Sequence, residues 1–282
     1  MNLLVTGGTG QLGRAISRIG SDQHQITAPG SSELNVADAE SVRAAISELR
    51  PDLIIHAGAM TDVDGCEHDP RTAFLINGLG AQHVASASAS AGIPIVYVST
   101  NFVFNGELDR PSTEFDTPDP ISIYGASKLA GERAVAALNP RHYIVRTAMV
   151  YDETGRNFVN SMLRLSAEHP KLTIVDDQFG NPTYAGDLAF GILLLIQEPA
   201  YGIHHLTNTG VASWCDWAVK IFELSGIEIP VEPIPASQFP RAATPPANGA
   251  LDNLAAASLG IELPHWHDAL ARCLTRRSEI TR

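Results

Sequence analysis

The first half of the chain alternates short apolar runs with longer stretches in which apolar residues recur at helical spacing. The apolar runs predict buried strands at residues 2–6, 26–28, 53–56, 95–99 and 143–147. The stretches between them predict a helix that ends near residue 19 and further helices over 38–50, 70–92 and 124–138. Because strand and helix alternate, the pattern predicts an α/β fold with a doubly wound parallel sheet and helices on both faces.

This alternation stops after Val150. Helical stretches at 158–167, 186–196 and 214–225 are separated by loops, and residues 230–249, dense in proline and alanine, predict an irregular surface crossing. We therefore expect a first domain over residues 1–150, with a later contribution near 184–206. A smaller mixed domain is expected mainly over 151–282.

Composition and charge narrow the function classes. Apolar residues make up 44 % of the chain, which is enough for a sizeable core. A net charge of -12 without a block of like charges argues against nucleic acid and anionic membranes as partners, since both need a basic surface. The start of the chain does not resemble a signal peptide, and the longest apolar stretch, 188–196, is too short to cross a bilayer. A cytoplasmic protein is expected.

A glycine triplet follows the first predicted strand and opens the first helix. Gly7 permits a tight turn, Gly10 lets the backbone approach a pyrophosphate, and Gly13 allows close packing of helix and sheet. The helix N-terminus then offers free N–H groups to the phosphates. The position favours a dinucleotide site of the Rossmann type over a plain tight turn, although 23 glycines make a chance triplet easy.

The end of the second predicted strand bears on the choice of cofactor. Residues 28–32 read Ala-Pro-Gly-Ser-Ser, without the acidic residue that would bind a ribose 2′-hydroxyl and repel a 2′-phosphate. Ser31, Ser32 and Arg14 are donors that suit a phosphate there. This favours NADP(H) over NAD(H); the alternative is that all three are ordinary polar surface groups.

Tyr124 and Lys128 are four residues apart, which places them on one face of a helix. A ketone reduced by hydride needs a proton on its oxygen, and tyrosine can donate one. A nearby ammonium is expected to lower the tyrosine pKa and ease the transfer. Thr100, at the end of the fourth predicted strand, is placed to polarise the same carbonyl. The spacing alone is weak evidence, because an exposed tyrosine beside a solvated lysine also has it.

Several segments together resemble the extended short-chain dehydrogenase/reductases and, more narrowly, the dTDP-4-dehydrorhamnose reductase family. The resemblance runs nearly end to end. It implies a Rossmann domain with a smaller substrate domain, and NAD(P)H-dependent reduction of a 4-keto group on a nucleotide-linked 6-deoxysugar. The segments are GGTGQLG (7–13), RPDLIIHAGAMTDVDGCE (50–67), STNFVFNG (99–106), PISIYGASKLAGE (120–132), RTAMVY (146–151), DQFGNPT (177–183) and RAATPPANGALD (241–252).

The resemblance also implies roles for single residues. Thr100, Tyr124 and Lys128 take the catalytic roles, Lys128 also holds the nicotinamide ribose, and Asn77 lies behind the site. The cofactor residues implied are Gly7, Gly10, Gln11, Leu12, Gly13, Arg14, Ser31, Asn35, Val36, Ala57, Gly58, Ala59, Thr61, Ser99, Tyr124 and Lys128. The substrate residues implied are Val63, Asp64, Asn101, Phe102 and Met149. The partner is then a nucleotide sugar, and a homodimer stays open.

The chain departs from the family beside the presumed sugar. The family usually reads STDYVF where this chain has Asn101 and Phe102, and often RTSWVY where it has Met149. These changes leave the reduction chemistry intact, but they make a related deoxysugar as good a substrate as the rhamnose precursor.

Two other functions remain open. The fold also resembles the regulatory subunit of methionine adenosyltransferase, a non-catalytic binding module. Epimerases and 4,6-dehydratases are enzymatic relatives, but Asn101 and Phe102 occupy the place where a dehydratase needs acid and base groups.

Other polar and aromatic residues fit structural roles. No metal site is expected, because the histidine clusters at 204–205 and 265–267 lack further ligands at a recognisable spacing. Cys66 is expected to be a packed thiol. Asp176 and Asp177 are interpreted as loop or surface groups, and Trp214 and Trp217 as core residues.

Overall fold

The computed structural model describes residues 1–280. Its strands are β1 (Asn2–Thr6), β2 (Gln25–Thr27), β3 (Leu53–His56), β4 (Ile95–Thr100), β5 (His142–Thr147), β6 (Val150–Tyr151), β7 (Leu172–Val175), β8 (Phe179–Gly180), β9 (Thr183–Tyr184), β10 (Gly202–His205), β11 (Ala212–Ser213) and β12 (Val231–Ile234). Its helices are α1 (Gln11–Gly20), α2 (Ala39–Leu49), α3 (Val63–His68), α4 (Pro70–Ala73), α5 (Ala81–Ser90), α6 (Ile123–Leu138), α7 (Phe158–Glu168), α8 (Ala185–Leu195), α9 (Trp214–Ser225), α10 (Leu254–Ser258) and α11 (Trp266–Ile280).

Six strands form one parallel sheet in the order β10-β5-β4-β3-β1-β2. The strand order reverses between β1 and β3, and ligands of open α/β sheets bind in the crevice outside the carboxyl ends of the strands at such a point. The predicted fold class, a doubly wound α/β sheet, is confirmed.

Both faces of the sheet are buried, which is why its strands are continuous apolar runs. Leu3 and Val5 point to a core shared with α1 and α8, and Leu4 points to the opposite core, shared with α2, α5 and α6. Side chains of successive strand residues point to opposite faces, so one short strand supplies both layers.

The segment predicted as one helix over 70–92 is built from three pieces. A π-helix over Phe74–Gly80 joins α4 to α5. The prediction of an uninterrupted helix was wrong in this detail, because periodicity does not separate a π turn from an α turn. Such insertions are frequent at functional sites, and this one carries the buried side chain of Asn77.

The second half has its own core between α7, α9 and α11. Trp217 is fully buried there and stacks at 5.6 Å from Trp214, as expected of core residues. The segment 230–249 is not wholly irregular, because its first residues form β12, which pairs with β7. Helix α8 and strand β10 belong to the main sheet layer, while the division into two domains stays a prediction. Within residues 1–280, no helix combines the length and apolar character needed to span a bilayer.

Candidate active site

The glycine loop between β1 and α1 lies at the point where the strand order reverses. Gly7 has a φ of +72°, and a Cβ there would lie 2.7 Å from the Gly58 Cα of the loop after β3. A Cβ on Gly13 would lie 2.5 Å from the Gly7 carbonyl oxygen. Both positions therefore require glycine. Gly10 precedes α1, and among residues 1–280 no side chain caps this helix end. The first amides of α1, at Gln11 to Gly13, are thus available to an anionic group.

The loop after β3, which contains Ala57, Gly58, Ala59 and Thr61, faces the glycine loop. Asn77 holds it at Met60, accepting from the backbone N–H at 2.8 Å and donating to the carbonyl at 3.1 Å. The Asn77 amide also donates to Ser127 Oγ on α6 at 3.0 Å. One buried asparagine thus joins the cofactor-side loop to the helix that carries Tyr124 and Lys128.

The residues expected near the ribose differ in their exposure to solvent. Ser31 and Asn35 are exposed and Val36 is buried. An acidic residue does follow β2: the Glu33 carboxylate accepts from the Gly30 N–H at 2.8 Å and so stabilises its own turn. The Arg14 guanidinium donates to the Thr9 carbonyl and lies 3.7 Å from the buried Asp152 carboxylate.

Tyr124, Lys128 and Thr100 are brought together by close packing at the start of α6. A Cβ on Gly125 would overlap the Phe102 carbonyl oxygen, so the helix backbone lies directly on the loop after β4. Tyr124 is half-buried and hydrogen-bonded to Thr100, and its ring contacts Phe102 edge-on at 5.4 Å between centroids. The three predicted catalytic residues therefore form one cluster at the carboxyl end of β4.

Lys128 is buried deeper, at 2 % exposure. Its Nζ donates to the Val98 carbonyl at 2.7 Å and lies 4.1 Å from the centroid of the Tyr97 ring. Burial lowers the lysine pKa to about 7, and the carboxylate of Glu132 partly opposes this change.

The expected lowering of the Tyr124 pKa by Lys128 is not what the structure shows. Burial raises the pKa of Tyr124 to about 12, against a smaller opposing effect of the Thr100 hydrogen bond. The physical reason is that the Lys128 ammonium points to the Val98 carbonyl and is itself poorly solvated. Tyr124 is therefore fully protonated at neutral pH.

Two of the expected substrate residues hold later segments of the chain beside this cluster. Asn101 is buried; its amide donates to the Gly249 carbonyl at 2.9 Å, and its oxygen accepts from Thr100 at 3.2 Å. Met149 has a φ of +46°, which is uncommon for a non-glycine residue. Its sulfur packs directly on Gly180: a Cβ built on that glycine would lie only 2.5 Å from the sulfur. These contacts bring the segments 177–183 and 241–252 to the site.

Asp64 is tied to the same late segment. Arg241 donates to both of its oxygens at 3.0 Å, and the Ala243 N–H donates at 2.9 Å. The arginine hydrogen bonds lower the pKa of Asp64. Val63, at the start of α3, is half-buried. Arg241 did not stand out in the sequence, because nothing local marks an arginine whose partner lies 177 residues away.

Two further features escaped the sequence reasoning. Asn157 caps α7 and also donates to the Gln11 side chain at 3.1 Å, so it joins the second half to the glycine loop.

Asp152 and Glu153 are buried beside Arg14 and Arg18, and burial raises the pKa of Asp152 to about 7. Charged residues directly after a buried strand were the available signal.

The remaining candidates have structural roles. Burial raises the pKa of Cys66 to about 11, which suits a packed thiol. Asp176 accepts from Ser213 Oγ and Asp177 from the Ala236 N–H, both at 2.8 Å. In the described part of the chain, no group of three or more histidine, cysteine or acidic residues could hold a metal ion.

The parallel sheet, the uncapped glycine-loop helix and the Thr-Tyr-Lys cluster together define a dinucleotide-binding protein of the short-chain dehydrogenase/reductase class. The family model described as RmlD substrate binding domain matches residues 1–279. The chain therefore belongs to this family, and the predicted resemblance and oxidoreductase class are confirmed.

Relatives agree in sequence over nearly the whole chain. The spore coat polysaccharide biosynthesis protein SpsK of Bacillus subtilis is 38 % identical over 277 residues, covering 98 % of both proteins. A dTDP-4-dehydrorhamnose reductase of Mycobacterium tuberculosis is 38 % identical, covering 99 % of this chain and 94 % of the relative.

Solved structures agree as well. The dTDP-4-dehydrorhamnose reductase from Bacillus anthracis in complex with NADP has a TM-score of 0.95 at 36 % identity, covering 98 % of this chain and 99 % of its own. A UDP-glucose 4-epimerase from Thermus thermophilus in complex with NAD has a TM-score of 0.84 at 22 % identity, covering 99 % of each chain. The second likeness shows the fold alone.

Proposed function

We propose that this protein uses NADPH to reduce the 4-keto group of a dTDP-linked 6-deoxysugar. The observation that carries the proposal is the Thr100–Tyr124–Lys128 cluster beside an uncapped glycine-loop helix. Relatives that match nearly its full length are dTDP-4-dehydrorhamnose reductases. A cytoplasmic location and a homodimer stay predictions.

The residues around the crevice fit a dinucleotide. The free amides of α1 suit the pyrophosphate, and the loop at Ala57 to Thr61 faces them across Gly7. The NADP-bound relative supports the predicted preference for NADP(H) over NAD(H). In this chain the exposed Ser31 and the half-buried Arg14 are the donors beside the expected 2′-phosphate. When bound, the nicotinamide supplies the hydride.

Side chains of this protein supply the proton that the carbonyl oxygen receives. With its pKa at about 12, Tyr124 keeps its proton until negative charge develops on the carbonyl oxygen, and then donates it. Thr100, whose single hydroxyl proton is donated to the Asn101 oxygen in this structure, would turn that proton to the same carbonyl oxygen. Lys128, charged below about pH 7, lies one helical turn away and orients the nicotinamide ribose. The raised pKa of Tyr124 suits an acid in reduction, although it would slow the reverse oxidation.

The residues beside the sugar fit two substrates equally well. Asn101 is neutral and already bound to Gly249, and Phe102 carries no hydroxyl. Polar contacts to the sugar from these positions are therefore fewer than the usual family residues would give. The rhamnose precursor dTDP-4-dehydrorhamnose and a related 4-keto-6-deoxysugar are both to be tested.

The test is NADPH oxidation on addition of each dTDP-linked 4-keto sugar, followed at 340 nm. We expect Tyr124→Phe to lower turnover by about 10³-fold or more while NADPH binds as in the parent protein. Tyr201→Phe, which removes a phenol hydroxyl from an exposed ring packed against Tyr143, is the matched control that retains turnover. Undiminished turnover in Tyr124→Phe would contradict the proposed acid. Absence of turnover with every keto sugar would favour the regulatory-subunit alternative.

A further inference from the structure

A buried ion pair lies behind the catalytic cluster. Arg146 donates to the two oxygens of Glu132 at 2.9 and 2.7 Å, and the two side chains are only 2 % and 4 % exposed. Ser99 Oγ donates to the same carboxylate at 2.5 Å. Three strong bonds thus fix the carboxylate in one place.

This carboxylate lies between the two elements that carry the catalytic residues. Glu132 follows Lys128 by four positions on α6, so the two side chains share one helix face. Ser99 directly precedes Thr100 on β4 and is paired in register with Arg146 on β5. The ion pair therefore links the helix of Tyr124 and Lys128 to the strand end that carries Thr100.

We propose that Glu132 is a positioning residue of the reductase site: its carboxylate, held by Arg146 and Ser99, keeps the buried Lys128 ammonium charged and holds α6 against the end of β4. This inference rests on the proposed function for its catalytic meaning. The effect on the charge of Lys128 can be measured without any substrate.

The surroundings of Lys128 leave Glu132 as its nearest source of negative charge. His56, Tyr97 and Tyr124 are neutral at pH 7, because burial lowers the histidine pKa to about 3 and raises the pKa of both tyrosines. The Cys66 thiol near Tyr124 is neutral for the same reason. Arg146 is also charged, and its charge is directed at Glu132.

Stability alone does not require this pair. Replacing a buried ion pair by apolar residues of similar volume is often neutral or stabilising, whereas removing one partner leaves a buried charge without compensation. The distinctive contribution of the Glu132–Arg146 pair is thus the fixed negative charge one turn from Lys128.

The chain is well suited to a direct test, since it has three lysines, Lys128, Lys171 and Lys220. With ¹³Cε-labelled lysine, NMR resolves one signal per residue, and Lys128→Met assigns the buried one. We expect the Lys128 signal to titrate near pH 7 in the parent protein. In the double variant Glu132→Leu/Arg146→Met the midpoint moves down by about one pH unit or more. This variant removes both charges of the ion pair, so neither of its two partners is left without the other, and circular dichroism checks its fold.

Two single variants separate charge from packing. Ser99→Ala removes one bond but keeps the carboxylate, so the Lys128 midpoint stays within about 0.3 units while the urea midpoint of unfolding falls. Glu132→Asp keeps the charge at the same backbone position and holds the midpoint close to the parent value. A folded double variant with the parental midpoint would overturn the inference. So would a shift in Glu132→Asp as large as in the double variant.

Turnover supplies the second readout. In the double variant the alkaline limb of the kcat profile should move to lower pH together with the Lys128 signal, while KM for the keto sugar changes little. If no keto sugar is turned over by the parent protein, the proposed function fails, and the NMR titration still decides the role of Glu132.

Discussion

Lys128 shows what burial does to a single charged side chain. Because its folded pKa, about 7, lies below the usual 10.5, the folded protein binds fewer protons than the unfolded chain between these values. The contribution of Lys128 to the free energy of unfolding therefore rises as the pH increases from 7 to 10.5. Below pH 7 the full cost of the buried ammonium acts on the folded state.

This linkage gives a prediction for Lys128→Met. The variant should gain stability relative to the parent at pH 6, and the gain should fall by up to about 1.4 kcal/mol per pH unit between pH 7 and 10.5. Urea unfolding at pH 6, 8 and 9.5 measures it. Lys171 forms an exposed ion pair with Glu232. The variant Lys171→Met should therefore differ little from the parent in stability, and the difference should not change with pH in this way. A pH-independent difference for Lys128→Met would show that the lysine is not desolvated.

The residues that could be found from the sequence are those whose partners are close in the chain or follow a known motif. Tyr124 and Lys128 share a helix, and Thr100 ends a recognisable strand. The direction of the Tyr124 pKa could not be found this way, because it depends on where the Lys128 ammonium points. That direction is set by the Val98 carbonyl on a neighbouring strand.

At the scale of elements, strands β1–β5 and most of the longer helices followed from hydrophobic spacing, and α6 was predicted to within one residue. The short strands β6–β12 and helix α11 were not predicted. Spacing alone did not reveal how closely α6 packs on the loop after β4. That contact depends on Gly125, which has no side chain at the point where the helix meets the Phe102 carbonyl.

Gly125→Ala should accordingly separate α6 from this loop and move Tyr124 away from Thr100. We expect turnover to fall by about 10²-fold, because small displacements of reacting groups are costly, and stability to fall by about 1–3 kcal/mol. Steady-state kinetics and urea unfolding measure the two effects. Gly78→Ala is the matched control, since a Cβ there would meet Ala130 Cβ at an ordinary 3.5 Å. Equal turnover in both variants would contradict the packing argument.

The whole molecule is held together near the cofactor side by contacts between residues far apart in sequence. Asp64 bonds to Arg241, Asn101 to Gly249, and Asn157 to Gln11. No periodicity or spacing rule could predict these pairs, because each partner is ordinary in its own local context. They explain why the second half contributes to a site whose motifs lie mostly in the first.

The contact between Asn157 and Gln11 predicts that the second half of the chain supports cofactor binding at the glycine loop. The Asn157 oxygen caps α7 through the Asn160 N–H at 2.9 Å, while its amide donates to Gln11 at the first position of α1. Asn157→Ser keeps a cap but is too short to reach Gln11, and Asn157→Ala loses both functions. We expect both variants to weaken NADPH binding about fivefold, since a lost hydrogen bond is worth about 1 kcal/mol. Both variants also lose the bonds from the Asn157 amide to the Asp152 and Thr154 carbonyls and should be less stable than the parent. Asn157→Ala should be less stable than Asn157→Ser by about 1 kcal/mol, because it also loses the cap.

Fluorescence titration with NADPH and urea unfolding separate these two effects. Gln11→Ala is the complementary variant, because it removes the acceptor and leaves the α7 cap and the other Asn157 bonds in place. It should match Asn157→Ser in NADPH affinity while keeping the stability of the parent. NADPH affinity that is unchanged in both Gln11→Ala and Asn157→Ser would mean that the second half does not support the glycine loop. Affinity lost only in Asn157→Ala would assign the effect to the helix cap. Matched losses in Gln11→Ala and Asn157→Ser would show that the second half of the chain supports cofactor binding through a single side-chain contact.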